Sequence, residues 1–430
     1  MQNTHQNLWL VSALAVFLLV AVAVAPAAAD SPASAGTLFS IPGKTSVVFP
    51  NNGISTMSAV DYGPLNIPSA LLQSETPQYQ LVIFDDVIPV HTNSVSLPIV
   101  LNGQSYTVPL TRVAFESIND GIDSYKGSIP GIDNSVVLVT VSNNNFYASI
   151  YLPDDIIEIY PIQNQAYAAR TDNPVHIIYS ENCIPSSSGP VNIFSITELS
   201  QEERELLQLE SVTKSQATIM RGDPEAWAIV GVLVVTDNGF ISAESDWQAK
   251  AQQYMLGANY AFNQAKVDLG ICAFDSSKAS QMSSNSLRFT NPLGMVSSSS
   301  YYPYTFLRNV NADLAVYLGG YDRTGQLIGE GYFEARHSWA QMVPDSLEEN
   351  GANTGSVHAR KAALTRGLGA NFAALEGLAV KTTGNPNTYT VMEEIYYGAS
   401  DNNPDKTLLT FSDANINRIK NMKSTVANYV

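Results

Sequence analysis

The hydrophobic period of this chain changes once, and that change limits what it can fold into. Across residues 31–195 apolar residues come in short runs: Gln80-Leu81-Val82-Ile83-Phe84, Ser135-Val136-Val137-Leu138-Val139-Thr140-Val141, Phe146-Tyr147-Ala148-Ser149-Ile150-Tyr151 and Ile156-Ile157-Glu158-Ile159-Tyr160. Asn, Gly, Asp and Pro separate them. Runs of β-branched and aromatic residues bounded by turn formers predict an antiparallel β domain. Past Ala226 the pattern differs. Ala228–Thr236 reads as a buried strand, Trp247, Ala251, Tyr254 and Ala258 recur at helical spacing within residues 244–266, and residues 267–272 and 313–318 read as further strands. Strand and long helix in alternation predict a mixed sheet carrying helices. The expected fold class is therefore α+β, and 430 residues leave room for two or three domains with real cores.

The central helix of the second half reads Ala362-Ala363-Leu364-Thr365-Arg366-Gly367-Leu368-Gly369-Ala370-Asn371-Phe372. Leu364, Leu368 and Phe372 recur every four residues, a core stripe that packing alone explains. A zinc hydrolase helix would place two histidines at that spacing with a glutamate beside the first to activate a metal-bound water, and a third ligand just past a glycine turn. Here Ala362 and Arg366 have the spacing, Ala363 occupies the glutamate position, Gly369 is the turn and Phe372 stands where a third ligand would. Alanine and phenylalanine offer no donor atom, and arginine is permanently charged with no lone pair to give. No zinc centre and no cofactor are expected. His337 and His358 stand far apart in sequence and would need partners such as Glu330, Glu334 or Asp345 to hold a metal. Hydrogen-bonded or solvated histidines are the simpler expectation.

With Arg366-Gly367-Leu368-Gly369-Ala370-Asn371-Phe372 followed by Tyr389-Thr390-Val391-Met392, the second half resembles the metzincin metalloproteases, in particular the reprolysin or adamalysin-like branch. The signature of that branch is HExxHxxGxxH followed by a methionine turn. The resemblance covers residues 222–425, through residues 232–266 and from Phe411-Ser412-Asp413 into a last helix. It implies that Gly369 and Met392 are retained scaffold positions, with Met392 beneath the helix. The family's ligand positions fall on Ala362, Arg366 and Phe372 and its general base on Ala363, so those roles do not carry over. In the first half, Ser124-Tyr125-Lys126-Gly127-Ser128-Ile129-Pro130-Gly131 with Asn134-Ser135-Val136-Val137, Tyr147-Ala148-Ser149-Ile150 and Glu158-Ile159-Tyr160-Pro161 resemble the β-rich propeptide domain of the same branch. Such a prodomain assists folding and holds the protease latent; with no zinc to block, the resemblance implies a folding or structural role. It also implies a groove between an edge strand and the helix, able to bind an extended peptide by strand addition without cutting it.

The expected divisions are a signal peptide or membrane anchor at 1–29, a propeptide-like domain at 31–195, a connector at 196–224 and a metzincin-like domain at 225–430. Residues 8–25 form an apolar run that ends in Pro26-Ala27-Ala28-Ala29-Asp30. Small residues after such a run suit cleavage near Ala29 and secretion, while the absence of lysine or arginine before it leaves an uncleaved anchor open. In the connector Ser200 can cap a helix with an acidic first turn. No dibasic cluster supports a convertase cut, and Arg221-Gly222-Asp223 reads as a simple turn. Residues 297–304 read as a Ser and Tyr-rich loop. The net charge of −17 and pI near 4.6 oppose nucleic-acid binding. Cys183 and Cys272 are a candidate disulfide or two buried thiols. The function expected from these features is an exported, catalytically inactive metalloprotease homologue that binds an extracellular protein or peptide or serves as an envelope component. A secreted zinc endopeptidase with ligands elsewhere and a purely structural surface protein are the alternatives. Membrane contact is expected only if the amino-terminal run is retained.

Overall fold

Asn102 and Gly103 both take positive φ, 50° and 81°, and close a two-residue hairpin between β4 (Ser94–Leu101) and β5 (Gln104–Val113). Asn-Gly suits the mirror-image turn whose twist matches its flanking strands. The same logic of short turns between apolar runs builds the first sheet from β1 (Val47–Val48), β2 (Ile54–Thr56), β3 (Tyr79–Phe84), β4, β5, β6 (Ile122–Gly127), β7 (Val136–Ser142), β8 (Asn145–Tyr151), β9 (Ile156–Ile162) and β10 (Val175–Ser180). Its order is β1-β4-β5-β6-β7-β8-β9-β10-β3-β2, antiparallel at every pairing. The computed structural model describes residues 47–48, 54–56, 71, 79–84, 92–115, 120–142, 145–162, 174–181, 194–198, 225–286, 302–320, 327–342, 357–379, 381–382, 388–393 and 406–427. The amino-terminal run, Cys183, Ser200, Arg221-Gly222-Asp223, residues 297–301 and Asp345 lie outside the described residues.

The second sheet has the order β11-β15-β16-β14-β12-β13, formed by β11 (Phe194–Thr197), β12 (Ala228–Thr236), β13 (Val267–Asp275), β14 (Leu314–Gly319), β15 (Gly329–Tyr332) and β16 (His337–Gln341). All its pairings are parallel except β15 with β16. The fold is thus α+β, an antiparallel sheet followed by a mixed sheet with helices. α1 (Asn238–Ala243) starts where the Asp237 carboxylate accepts from Phe240 N–H at 2.9 Å. α2 (Trp247–Asn263) is shorter than the expected 244–266, because Lys266 takes a left-handed φ of 60° and turns the chain straight into β13. α3 (Ala279–Ser286) and α4 (Tyr304–Asn309) supply Met282 and Leu307 to the core on one face of the sheet, against Leu233, Tyr317 and Trp339. The other face buries Val232, Val234 and Val316 under α2 and α5 (Val357–Asn371). A last helix, α6 (Asp413–Val426), begins with Ser412 Oγ accepting from Asn415 N–H at 3.2 Å. β17 (Lys381–Thr382), β18 (Thr388–Tyr389) and β19 (Lys406–Thr407) form a third, small sheet.

Strand alternation decides how the two large sheets meet. One face of β7, β8 and β9 gives Val137, Val139, Val141, Ala148, Ile150, Ile157 and Ile159 to the first core. The opposite face carries Thr140, Ser149 and Glu158, and these are buried as well. A buried polar face needs a partner that supplies hydrogen bonds. α2 and α5 supply them. Gln252 Nε2 donates to Ser124 Oγ at 3.0 Å and Gln253 Nε2 to Ser149 Oγ at 3.1 Å, while Asp246 accepts from Ser142 Oγ at 3.2 Å and from Asn145 Nδ2 at 2.7 Å. From α5, Lys361 Nζ donates to both Glu158 oxygens at 2.9 Å and also to Ser149 Oγ. The Lys361 and Glu158 side chains are 0% and 2% exposed. Burial raises the Glu158 carboxyl from its ordinary range, and Lys361 and Ser149 pull it back.

A pair so dry is sensitive to losing one member, because the survivor is left as a buried charge. Lys361→Met alone should destabilise the protein by about 3–5 kcal/mol. Adding Glu158→Leu should restore at least half of that loss. Urea midpoints of the single and double variants check this, and a double variant no more stable than the single would contradict it.

His176 in β10 makes the fold pH-sensitive. Its Nε2 accepts from Phe146 N–H at 3.0 Å and its Nδ1 donates to Pro174 O at 3.1 Å, so the ring is bound as the neutral tautomer. Burial lowers its pKa from 6.5 to about 3. The unfolded chain binds a proton near pH 6.5 and the folded chain does not, so this contribution is complete above pH 6.5 and declines as pH falls toward 3. At pH 5 it should have lost about 2 kcal/mol. Denaturation curves at pH 7.5 and pH 5 should converge in His176→Gln, which has no ring to protonate; an unchanged slope would remove His176 as the cause.

Candidate functional site

Every residue of α5 is buried, so the helix has no solvent face. Helical spacing turns four sets of side chains toward four neighbours. Lys361 faces the first sheet and α2, where a Cβ added at Gly257 would lie 3.2 Å from Lys361 Cδ. Gly367 meets β15 so closely that a Cβ added at Gly331 would stand 2.6 Å from Gly367 O, and Asn371 Nδ2 donates to Tyr332 O at 2.8 Å. Phe372 packs its ring 5.0 Å from that of Phe262. The fourth set is Ala362, Ala363 and Arg366.

Gly369 and Met392 are in direct contact. Val391 and Met392 form a turn after β18, held by Glu393 N–H donating to Thr390 O at 3.0 Å and Val391 N–H donating to Thr410 O at 2.8 Å. Met392 is fully buried, and a Cβ added at Gly369 would stand 2.9 Å from its Sδ and 3.0 Å from Phe411 Cε1. Glycine suits this close approach, since a methyl group here would push Met392 or Phe411 aside.

Ala362, Ala363 and Arg366 line a crevice with Phe194, Val391, Glu393 and Thr407. Its free volume is about 10 Å³, at the lower limit for one water molecule. The Arg366 guanidinium pairs with the Glu376 carboxylate and lies over the Phe194 ring, 5.1 Å from its centroid. The Arg366 side chain is 3% exposed and that of Glu376 33%, so solvent screens the acidic end of the pair. These residues do not fit a zinc ion. Two methyl groups and a paired guanidinium line the crevice, Phe372 is packed into the core against Phe262, and Glu393 is the only carboxylate among its described lining residues. A fixed guanidinium can hold a carboxylate or an aromatic face, but it cannot polarise a water as a metal does.

The histidines serve elsewhere. His337 Nε2 lies 2.9 Å from Tyr302 O and His358 Nε2 lies 2.7 Å from Thr407 O, and both side chains are buried. Among the described residues no three His, Cys, Asp or Glu side chains gather as a metal-holding group. Glu330 lies in β15 and Glu334 just after it, where Glu334 N–H donates to Ala370 O at 3.0 Å. Cys272 is a free thiol whose Sγ donates to Asn311 O at 3.1 Å, and burial pushes its pKa up. Its candidate disulfide partner, Cys183, is outside the described residues.

The groove differs from expectation. The edge strand beside α5 is β15, and its free edge is taken by the chain's own β11, paired parallel with Phe194 opposite Gly329 and Thr197 opposite Tyr332. Sequence reading placed Phe194 at the end of the first domain and Thr197 in the connector, with no role for either in the second sheet. Glu376 and Lys361 were missed as well. Lys361 left no distinct signal, since His358, Arg360, Thr365 and Arg366 are polar residues of the same helix.

No family model matches the chain, and no curated protein does. Among solved structures the chain is similar to metalloproteinase-II from Bacteroides fragilis, at 10% identity and a TM-score of 0.42 over 76% of this chain and 91% of that one. At that distance the likeness carries no argument about what this chain does.

Proposed function

We propose that this chain is an exported, non-catalytic metalloprotease homologue that acts by binding a protein or peptide outside the cell. The observation that carries the reading is Arg366, paired with Glu376 and stacked on Phe194 at a position where a hydrolase would hold a metal ligand. Ala362 and Ala363 beside it contribute no acid, base or nucleophile. What the site offers is recognition chemistry: a buried guanidinium and an apolar crevice, beside a β15 edge that β11 already occupies. Export rests on the apolar run at residues 8–25 and the small residues that follow it.

Purified full-length protein should hold no stoichiometric zinc, keep its thermal midpoint in chelator and leave casein and mixed-peptide libraries uncut. Elemental analysis and cleavage assays test this together. One tightly held zinc per chain, lost on substitution within residues 362–372 and accompanied by chelator-sensitive cleavage, would establish the endopeptidase alternative instead. Amino-terminal sequencing of the protein released by its host should give a start near Asp30. Recovery of the intact amino terminus in the membrane fraction would replace secretion by anchoring.

A further inference from the structure

The core of the first sheet is open at one end. Strand alternation puts Gln104, Tyr106, Val108 and Leu110 of β5 on one face. Val108 and Leu110 are buried in that core, Tyr106 is half-buried against it and Gln104 is exposed. The turns between β4 and β5, β6 and β7, and β8 and β9 come together at this end and leave a pocket of about 230 Å³. Leu101, Tyr106, Ile132 and Leu152 are its buried and half-buried lining, while Asn102, Gln104 and Asp154 are exposed at its opening. The turns are held by their own hydrogen bonds: Leu152 N–H donates to Asp155 O at 2.8 Å, Ile132 N–H to Ile129 O at 3.1 Å and Ser135 Oγ to Ile132 O at 2.7 Å. A pocket whose walls are fixed in advance loses little entropy on filling, and the open end of a β core is where β-barrels hold small ligands.

The lining narrows the chemistry of the ligand. The volume is below the roughly 300–1,000 Å³ of sites for drug-sized molecules, so the pocket suits one small ring. No lysine, arginine or histidine is among its described lining residues, so nothing there neutralises a phosphate or carboxylate. One exposed carboxylate, screened by solvent, selects a cation only weakly. A purely apolar ligand would strip water from two amides and a carboxylate and return no hydrogen bonds. The Asn102 and Gln104 amides both donate and accept, and the Asp154 carboxylate accepts. Adjacent ring hydroxyls do both and pair with such planar groups, while the C–H face of the same ring suits Tyr106, Ile132 and Leu152. We propose that this pocket binds a single neutral pyranose unit of a glycan. It shares no residue with the crevice around Arg366, and the inference does not rest on the non-catalytic reading.

The test titrates the full chain with the methyl glycosides of glucose, galactose, mannose and N-acetylglucosamine by ligand-observed NMR, with choline and inorganic phosphate as probes of the other chemistries. At least one glycoside should bind with a Kd of about 1 mM, the scale that a few exposed hydrogen bonds and one ring face provide. Neither choline nor phosphate should displace it. Gln104→Leu nearly keeps the shape of the side chain, removes its hydrogen bonds and should weaken binding about 3- to 10-fold. Gln104→Trp should fill the opening and abolish binding. Gln104 is exposed, so circular dichroism should show the fold intact in both variants, and the leucine variant carries the comparison if the larger ring disturbs it. Failure of every glycoside to bind at about 20 mM, binding unchanged in the folded Gln104 variants, or displacement of the glycoside by choline or phosphate overturns the proposal. Zinc content and peptide cleavage are separate readouts, so that result leaves the non-catalytic reading standing.

Discussion

The ion pair between Lys361 and Glu158 is the constraint around which the two sheets are arranged. It joins α5 to β9 at a place where neither side chain reaches solvent, and Ser149 and Gln253 complete its hydrogen bonds. Two opposite charges withdrawn from water roughly balance desolvation against attraction only when the geometry is good and the remaining donors and acceptors are filled. Such a pair adds little net stability, but it penalises any arrangement that leaves either member alone. The polar face of β6 to β9 thereby accepts α2 and α5 in one position, because Gln252 must meet Ser124 and Asp246 must meet Ser142 and Asn145 in the same docking.

With Lys361 fixed, the other faces of α5 follow. Helical geometry turns Gly367 onto Gly331, Gly369 onto Met392 and Arg366 toward Glu376. Two of these contacts are close approaches at a glycine, which is why a helix with two glycines, poor by propensity, is kept: each glycine loses about 1 kcal/mol relative to alanine and allows a close approach in return. Arg366 is a permanent charge whose side chain is only 3% exposed. Its place inside the protein depends on an acid and a ring from two other elements, Glu376 after α5 and Phe194 in β11.

β11 is where the two halves of the chain become inseparable in architecture. It follows the antiparallel sheet in sequence and completes the mixed sheet in space, covering the edge of β15 that would otherwise present unpaired backbone groups. The same strand that protects the edge also seats Phe194 against Arg366.

The sequence by itself determined the elements. The run Ala228–Thr236 is β12 with the same bounds, the hairpin strands through residues 135–160 are β7, β8 and β9, and Leu364, Leu368 and Phe372 are core residues, because period and turn chemistry are local properties. That Ala362, Ala363 and Phe372 offer no atom to bind a metal could also be read locally, since a side chain without a lone pair lacks one in any fold. Only the tertiary structure decided that Lys361 meets Glu158 across about two hundred residues of sequence, that Arg366 is held by Glu376 and Phe194, and that β11 belongs to the second sheet. Each of these depends on which surfaces are buried together. A four-residue strand or a single charge carries no periodic pattern, and its partner is chosen by the free energy of the assembled interior rather than by its neighbours along the chain.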